Sequence, residues 1–275
     1  MADVPTAGSL FIPLSEDRFQ ATECSRGPWD PTTLHGGPVA ALVMHCAETT
    51  LAGSGSPAHL PVRMTLDLER PVPMTPIRVD SRIVRPGGKV QVAEVVFYVD
   101  TDRRLARASV LAIRRLATEL PAEMPTPVDD QPAPPAQGSR PPMGIDVAGA
   151  LPAYHSHGTE HRYVHGNFQG VGESTAWIRL KVPVLPGVAP TPFQRTVAAA
   201  DFINGMSTPL PWEQWTFINP DLTVTVHRLP VGEWICVDAK TRVDSLGIGS
   251  AEATLFDEAG RIGHAVQNLL IERRP

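Results

Sequence analysis

Two stretches of small apolar residues stand out from a chain that otherwise alternates apolar and polar positions. The first, Pro38-Val39-Ala40-Ala41-Leu42-Val43-Met44, predicts a helix over 38–51, opened by His35-Gly36-Gly37. Proline suits a first helical turn, where its missing N–H costs nothing. Alternation then predicts strands at 64–69, 77–84, 90–99 and 105–114. Pro86-Gly87-Gly88 and Asp100-Thr101-Asp102 supply turns between them. The second stretch, around Val197-Ala198-Ala199-Ala200, predicts a helix over 193–204. Strands follow at 223–227, 234–244, 248–257 and 262–272, with Asp257-Glu258-Ala259-Gly260 as the last hairpin turn.

The two series are one series written twice. Arg70 aligns with Arg228 and Asp80 with Asp238, each pair 158 residues apart. The last strands, Leu105-Ala106-Arg107-Ala108 and Ile262-Gly263-His264-Ala265, align at 157, and both end in paired arginines, Arg114-Arg115 and Arg273-Arg274. An ordered set of matches at nearly the same offset indicates a duplicated domain. One helix followed by an antiparallel sheet, made twice, is an α+β layout.

Proline locates the join. The chain has 29 prolines in 275 residues, about twice the usual share of roughly 5%, which excludes a helical bundle. Prolines 121, 125, 127, 132, 134, 135, 141 and 142 crowd one polar segment. The expected division is a first domain over 1–116, a linker or surface crossover over 117–150, and a second domain over 151–275. Pro71, Pro73 and Pro230 fall at matching bends in the two copies.

Charge and cysteine narrow the function. The net charge of −5 argues against nucleic acid as a partner. Three scattered cysteines, Cys24, Cys46 and Cys236, with no CxxC, suit a reduced cytoplasmic setting. No signal peptide or membrane span is expected. His157, His161 and His165 are spaced by four and would share one face of a helix. Their run reads instead as a loop entering a strand, so neither a metal nor another cofactor is expected.

Short motifs in order carry a family resemblance. They are His35-Gly36-Gly37-Pro38-Val39-Ala40-Ala41, Ala198-Ala199-Ala200-Asp201-Phe202, Asn219-Pro220-Asp221-Leu222-Thr223, His227-Arg228 and Ala265-Val266-Gln267. Together they resemble the double-hotdog acyl-CoA thioesterases of the acyl-CoA thioesterase II (TesB-like) family over most of the chain outside the proline-rich middle. The resemblance implies two tandem hotdog domains, each an antiparallel sheet wrapped around a central helix. It implies hydrolysis of acyl-CoA to fatty acid and CoA by a water held by an Asp, a Ser/Thr and a Gln. Carried over by position, these are Asp201, Asn219 and Gln267. The hydroxyl position falls on Asn219, whose amide can also bond water or a carbonyl; a shifted alignment nominates Thr223 instead.

The residue types suit that chemistry. Asp201 can act as general base. Gln267 offers a donor and an acceptor to orient water. Gly36 and Gly37, at a helix N-terminus, offer backbone N–H groups to an oxyanion. Arg273 and Arg274 either face solvent or meet CoA phosphates. Trp212 and Trp215 either wall the acyl site or anchor a loop.

Two other functions remain open. A non-catalytic acyl-CoA or lipid-binding protein is one, since Asn219 replaces a hydroxyl. An enoyl-CoA hydratase is the other, although Phe217-Ile218-Asn219-Pro220-Asp221-Leu222 keeps Asn-Pro without that reaction's Asp and His. Unpaired sheet edges favour a homo-oligomer.

Overall fold

The computed structural model describes residues 8–55, 58–99, 103–123, 131–140, 151–168 and 170–274. In chain order they form β1 (Phe11–Pro13), β2 (Arg18–Ala21), α1 (Gly36–Ala52), β3 (His59–Leu68), β4 (Ile77–Arg85), β5 (Val90–Val99) and β6 (Arg103–Arg114). Then come β7 (Thr159–His165), β8 (Ser174–Leu180), α2 (Pro192–Ala200), α3 (Ile203–Ser207), β9 (Trp215–Ile218), β10 (Asp221–Val226), β11 (Ile235–Val243), β12 (Ile248–Asp257) and β13 (Gly260–Arg273). The predicted turn at 100–102 lies outside the described residues, as do Pro125, Pro127, Pro141 and Pro142.

All the strands join one antiparallel sheet, in the order β1-β2-β4-β5-β6-β3-β10-β13-β12-β11-β8-β7, with β9 added on β13. The order reads the same outward from its centre: β3-β6-β5-β4-β2-β1 on one side, β10-β13-β12-β11-β8-β7 on the other. At the centre Thr65 pairs with Thr223, its own counterpart at the 158-residue offset. Their hydroxyls meet at 3.3 Å. A pseudo-twofold axis therefore passes between these two threonines. This is the double hotdog, α+β in class.

The helices lie inside the curved sheet. In α1 every residue from Gly37 to Met44 is buried, so no face is left for water and the apolar run needs no amphipathic period. Leu42 and Met44 are fully enclosed, and each such side chain contributes about 1.5–3 kcal/mol of transfer free energy. Helices α1 and α2 run antiparallel. Gly36 at the start of α1 meets Asp201 just past the end of α2, while Glu48 near the end of α1 meets Thr191 and Gln194 at the start of α2. Close approach requires glycine: a Cβ at Gly37 would lie 2.7 Å from the Ala198 carbonyl oxygen.

Four strands, β1, β2, β8 and β9, were not predicted. Strands β1, β2 and β9 have three or four residues, too few to display a period of two. Strand β8 is buried at its first five positions, so its residues do not alternate. Strand β7 is the one that the histidine-rich loop enters, after a single helical turn at Tyr154–Gly158. Within the proline-rich middle, residues 131–140 cross the outer face of the second copy. Trp177 Nε1 donates to the Ala133 carbonyl at 2.7 Å, above a small separate core of Trp177, Trp234, Cys236 and Phe256.

Candidate active site

The predicted helix over 193–204 is interrupted at Asp201. Helix α2 stops at Ala200, Asp201 and Phe202 form a turn, and α3 begins at Ile203. The N–H groups of Asp201 and Phe202 both fold back on the Ala199 carbonyl. The cause is tertiary. The Asp201 carboxylate is bonded on several sides, and those partners hold the chain off the helical path. Asp201 is only 3% exposed.

Three donors from three distant segments reach this carboxylate. Asn219 Nδ2 donates to Oδ1 at 3.0 Å, and Gln267 Nε2 donates to the same oxygen at 3.0 Å. His35 Nδ1 lies 2.8 Å from Oδ2. Each is placed by its element. Gln267 occupies an inward position of β13, in a row with Ala265, Leu269 and Ile271, where strand alternation puts it in the core. Asn219 sits in the turn between β9 and β10. Its Oδ1 is approached by Asn204 Nδ2 of α3 at 3.5 Å, and its Nδ2 also reaches the Asp221 carbonyl at 3.3 Å. His35 is the N-cap of α1.

Sequence reasoning did not single out His35 for the site. The signal was present: a histidine directly before Gly-Gly, at the mouth of a fully buried helix. Its Nδ1 also lies 3.1 Å from the Gly37 amide. One nitrogen cannot both accept from Gly37 and donate to Asp201. With Asp201 ionised, Nδ1 carries the proton and donates to Oδ2, and the Gly37 N–H is released. The ring is packed between Tyr154 and Phe202, at centroid distances of 5.0 and 4.7 Å. Tyr154 donates to the Ala198 carbonyl at 2.9 Å; burial, and then the Asp201 charge, keep its phenol protonated far above the usual range. Behind Phe202 lies His161, bonded to the Thr159 hydroxyl at 2.9 Å. Burial, reinforced by His155 and His35, pushes its imidazole down to about 3.

The two glycines differ. A Cβ at Gly36 would stand 2.6 Å from Asp201 Oδ2, so only glycine lets the carboxylate lie against the start of α1. Gly36 borders the cavity beside the carboxylate. Gly37 faces Ala198 and Tyr154, away from that cavity. Thr223 sits on the pseudo-twofold axis with its hydroxyl on Thr65; Asn219, not Thr223, is the neighbour of Asp201.

The cavity has a volume of about 350 Å³. Its polar side is His35, Gly36, Asp201, Asn204 and Asn219. Its apolar side includes Trp29, Phe168 and Trp212, with Trp29 stacked on Trp212 at 4.7 Å. The exposed residues Asp30, Glu69 and Arg70 form the rim. Trp215 begins β9 and does not line the cavity. No helix among the described residues is long and apolar enough to cross a membrane.

Comparison with known proteins assigns both halves. The model of the acyl-CoA thioesterase N-terminal domain matches residues 25–113, and that of the acyl-CoA thioesterase C-terminal domain matches residues 123–271. No curated protein matches the sequence. Among solved structures, a candidate thioesterase II of Thermobifida fusca YX superposes with a TM-score of 0.71 at 15% identity, over 97% of this chain and 96% of that one. A hotdog protein of unknown function from Alicyclobacillus acidocaldarius gives 0.69 at 16% identity, over 96% and 95%. The acyl-CoA thioesterase II TesB2 of Mycobacterium marinum gives 0.63 at 14%, over 96% and 95%. These structural likenesses bear on the fold; the two domain models, matched in order across most of the sequence, place the chain in the acyl-CoA thioesterase family.

Proposed function

We propose that the cavity receives the thioester end of an acyl-CoA and that Asp201 activates a water against its carbonyl carbon. One observation carries this reading: His35, Asn219 and Gln267 converge on a single carboxylate that is 3% exposed beside the cavity. Oδ1 already accepts two bonds, so Oδ2 is the oxygen with capacity left for a water. Gln267 Oε1 is buried without a partner among the described residues and is an acceptor for that water's second proton.

The reaction then balances on this chain's own groups. Asp201 takes one proton from the water as its oxygen bonds to the carbonyl carbon. The resulting oxyanion turns to the N–H of Gly36, which lies in the first helical turn and has no intrahelical acceptor. Collapse breaks the C–S bond, and the departing sulfur takes back the proton held by Asp201. The products are a carboxylic acid and the CoA thiol. Asn219 serves in place of a hydroxyl by fixing Oδ1, and His35 fixes Oδ2.

Further features support an acyl-CoA substrate and a soluble assembly in the cytoplasm. Arg70 on the rim has no carboxylate partner among the described residues and is available to a CoA phosphate. Ile218, Leu270 and Ile248 make an exposed apolar row across three adjacent strands, a surface suited to a homo-oligomer. Cys24, Cys46 and Cys236 form no disulfide among the described residues.

A thiol-release assay on acyl-CoA tests the reading, with Asp201→Ala as control. The wild type is expected to release CoA, and the variant to lose about 10²- to 10⁴-fold in kcat. Tight acyl-CoA binding without thiol release, or hydration of a 2-enoyl-CoA in its place, would reject it.

A further inference from the structure

Resting on the thioesterase reading above, we infer that Asn204 is a further substrate-binding residue, whose amide oxygen accepts from the N–H of the CoA arm nearest the thioester sulfur.

The orientation of the amide comes first. Asn204 lies in α3, borders the cavity and is 7% exposed. Its Nδ2 donates to the Phe217 carbonyl at 3.2 Å and approaches Asn219 Oδ1 at 3.5 Å. Both partners are oxygens, so turning the amide round would set oxygen against oxygen. These contacts hold the Nδ2 end inside the protein. Oδ1 is the opposite end of the amide and has no partner among the described residues.

The neighbouring side chains leave this acceptor to the substrate. Asn219 commits both Nδ2 hydrogens, to Asp201 Oδ1 at 3.0 Å and to the Asp221 carbonyl at 3.3 Å, and its Oδ1 faces Asn204. Asp201 Oδ1 accepts from Asn219 and Gln267, and Oδ2 stands against His35. Water can serve Asn204 Oδ1 while the cavity is open. A ligand that displaces this water must bring a donor, because an acceptor buried without one is costly.

The path into the cavity decides which donor. The Asn219-Pro220 turn is joined to the rim: the Leu68 N–H donates to the Pro220 carbonyl at 2.7 Å, and Arg70 follows two residues on. An arm that enters past Arg70 and sets its thioester at Asp201 runs along Pro220 and Asn219, beside Asn204. In every acyl-CoA the first N–H from the sulfur belongs to the cysteamine amide, two carbons away. Asn204 is separated from Asp201 by the single side chain of Asn219, a similarly short step. A plain acyl chain, on the other side of the thioester, carries no donor.

The test uses the intact protein and three non-hydrolysable hexyl thioethers, measured by calorimetry. One is hexyl-CoA itself. In the second a methylene group replaces the N–H nearest the sulfur, and in the third a methylene group replaces the more distant N–H of the arm. Loss of the near N–H is expected to weaken binding about 2- to 12-fold, the range of one hydrogen bond. Loss of the distant one should change it by less than about 2-fold. Asn204→Ala should bind hexyl-CoA more weakly and no longer distinguish it from the near-substituted compound; Asn204→Leu repeats this arm with a side chain of similar bulk. Equal binding of the first two compounds by the wild type overturns the inference, and so does a near-N–H dependence that survives in the variants. A purely structural role for Asn204 would show itself as that second result, with all three compounds weakened alike. Should neither variant fold, the wild-type comparison of near and distant N–H groups decides alone. Hydrolysis of hexanoyl-CoA, run alongside, keeps the two readings apart. Dependence on the near N–H without thiol release would reject only the thioesterase reading, whereas thiol release without that dependence would reject only this inference.

Discussion

His35 Nδ1 and Asp201 Oδ2 lie 2.8 Å apart across the junction of the two copies, one at the entry to α1 and the other just beyond α2. The contact joins two functions in one histidine. It stands at the N-cap position of α1, and its Nδ1–H orients the carboxylate. Removing it should therefore be visible in two measurements. His35→Ala is expected to lower kcat by about 10- to 100-fold, a smaller loss than removal of the general base itself. It should also cost about 1–3 kcal/mol of stability, because a buried carboxylate oxygen loses its donor. Kinetics and thermal unfolding on the same preparation check both. A variant with normal kcat and reduced Tm would confine His35 to its structural role.

The pseudo-twofold axis at Thr65 and Thr223 generates a second, unequal location. As Asp201 faces the start of α1, Glu48 faces the start of α2. There it accepts from the Thr191 hydroxyl at 2.8 Å and from Gln194 Nε2 at 2.7 Å, both members of the α2 capping box. The glycines are missing, because α2 begins Thr191-Pro192-Phe193. The strand position that corresponds to Gln267 is Val110, by the pairings of Val266 with Thr223 and of Ser109 with Thr65. One of the two equivalent locations has become a structural joint.

Glu48 supplies a pH-dependent check of that asymmetry. Burial raises its carboxyl above the ordinary value, against the opposing bonds from Thr191 and Gln194. Between the unfolded value of about 4.3 and the raised folded value, the folded state binds more protons, so this group's contribution to stability falls as pH rises. Glu48→Gln removes the ionisation. The variant is expected to gain Tm relative to the wild type on going from pH 4.5 to pH 8, with kcat changed by no more than about twofold. A large loss of kcat would make Glu48 a second active carboxylate.

His161 gives the opposite slope. Its folded value of about 3 lies below the unfolded value of about 6.5, so the unfolded chain takes up a proton that the folded chain refuses. The contribution is fully present above about pH 6.5 and is lost as pH falls toward 3, with a limiting slope of about 1.4 kcal/mol per pH unit. Buried carboxylates paired with arginine, such as Asp257 with Arg228, weaken only below the ordinary carboxylate value of about 3.9, at the acid end of this range. The measurement is therefore the difference between the wild type and His161→Gln, by denaturant unfolding at several pH values. The difference should narrow as pH falls; a constant difference would mean that His161 is protonated in the fold.

Much of this was legible in the sequence because strands repeat every two residues and duplications preserve spacing. The 158-residue offset that aligns Arg70 with Arg228 is the offset that pairs Thr65 with Thr223. Strands β5 and β12 end at the residues that alternation indicates. Gln267 was reached through the family resemblance, and the structure puts it on the inward face of an apolar row. Other features were not local. The break in the second helix depends on donors from β13, from the turn before β10 and from His35, none of them near Asp201 in sequence. His35 reads locally as a cap, and its second role exists only once α1 and α2 are side by side. Gly36 and Gly37 look equivalent until the carboxylate lies against one and Tyr154 against the other.

The central claim is that water, held by Asp201, attacks the thioester directly. The most direct measurement is a single turnover of acyl-CoA by excess protein in ¹⁸O-water, with mass analysis of the acid and of the peptide containing Asp201. Direct attack places one ¹⁸O in the first-turnover acid and leaves Asp201 unlabelled after hydrolysis. An unlabelled first-turnover acid with ¹⁸O in the Asp201 peptide would show that the carboxylate itself attacks, and no acid at all would show that this site does not hydrolyse the thioester.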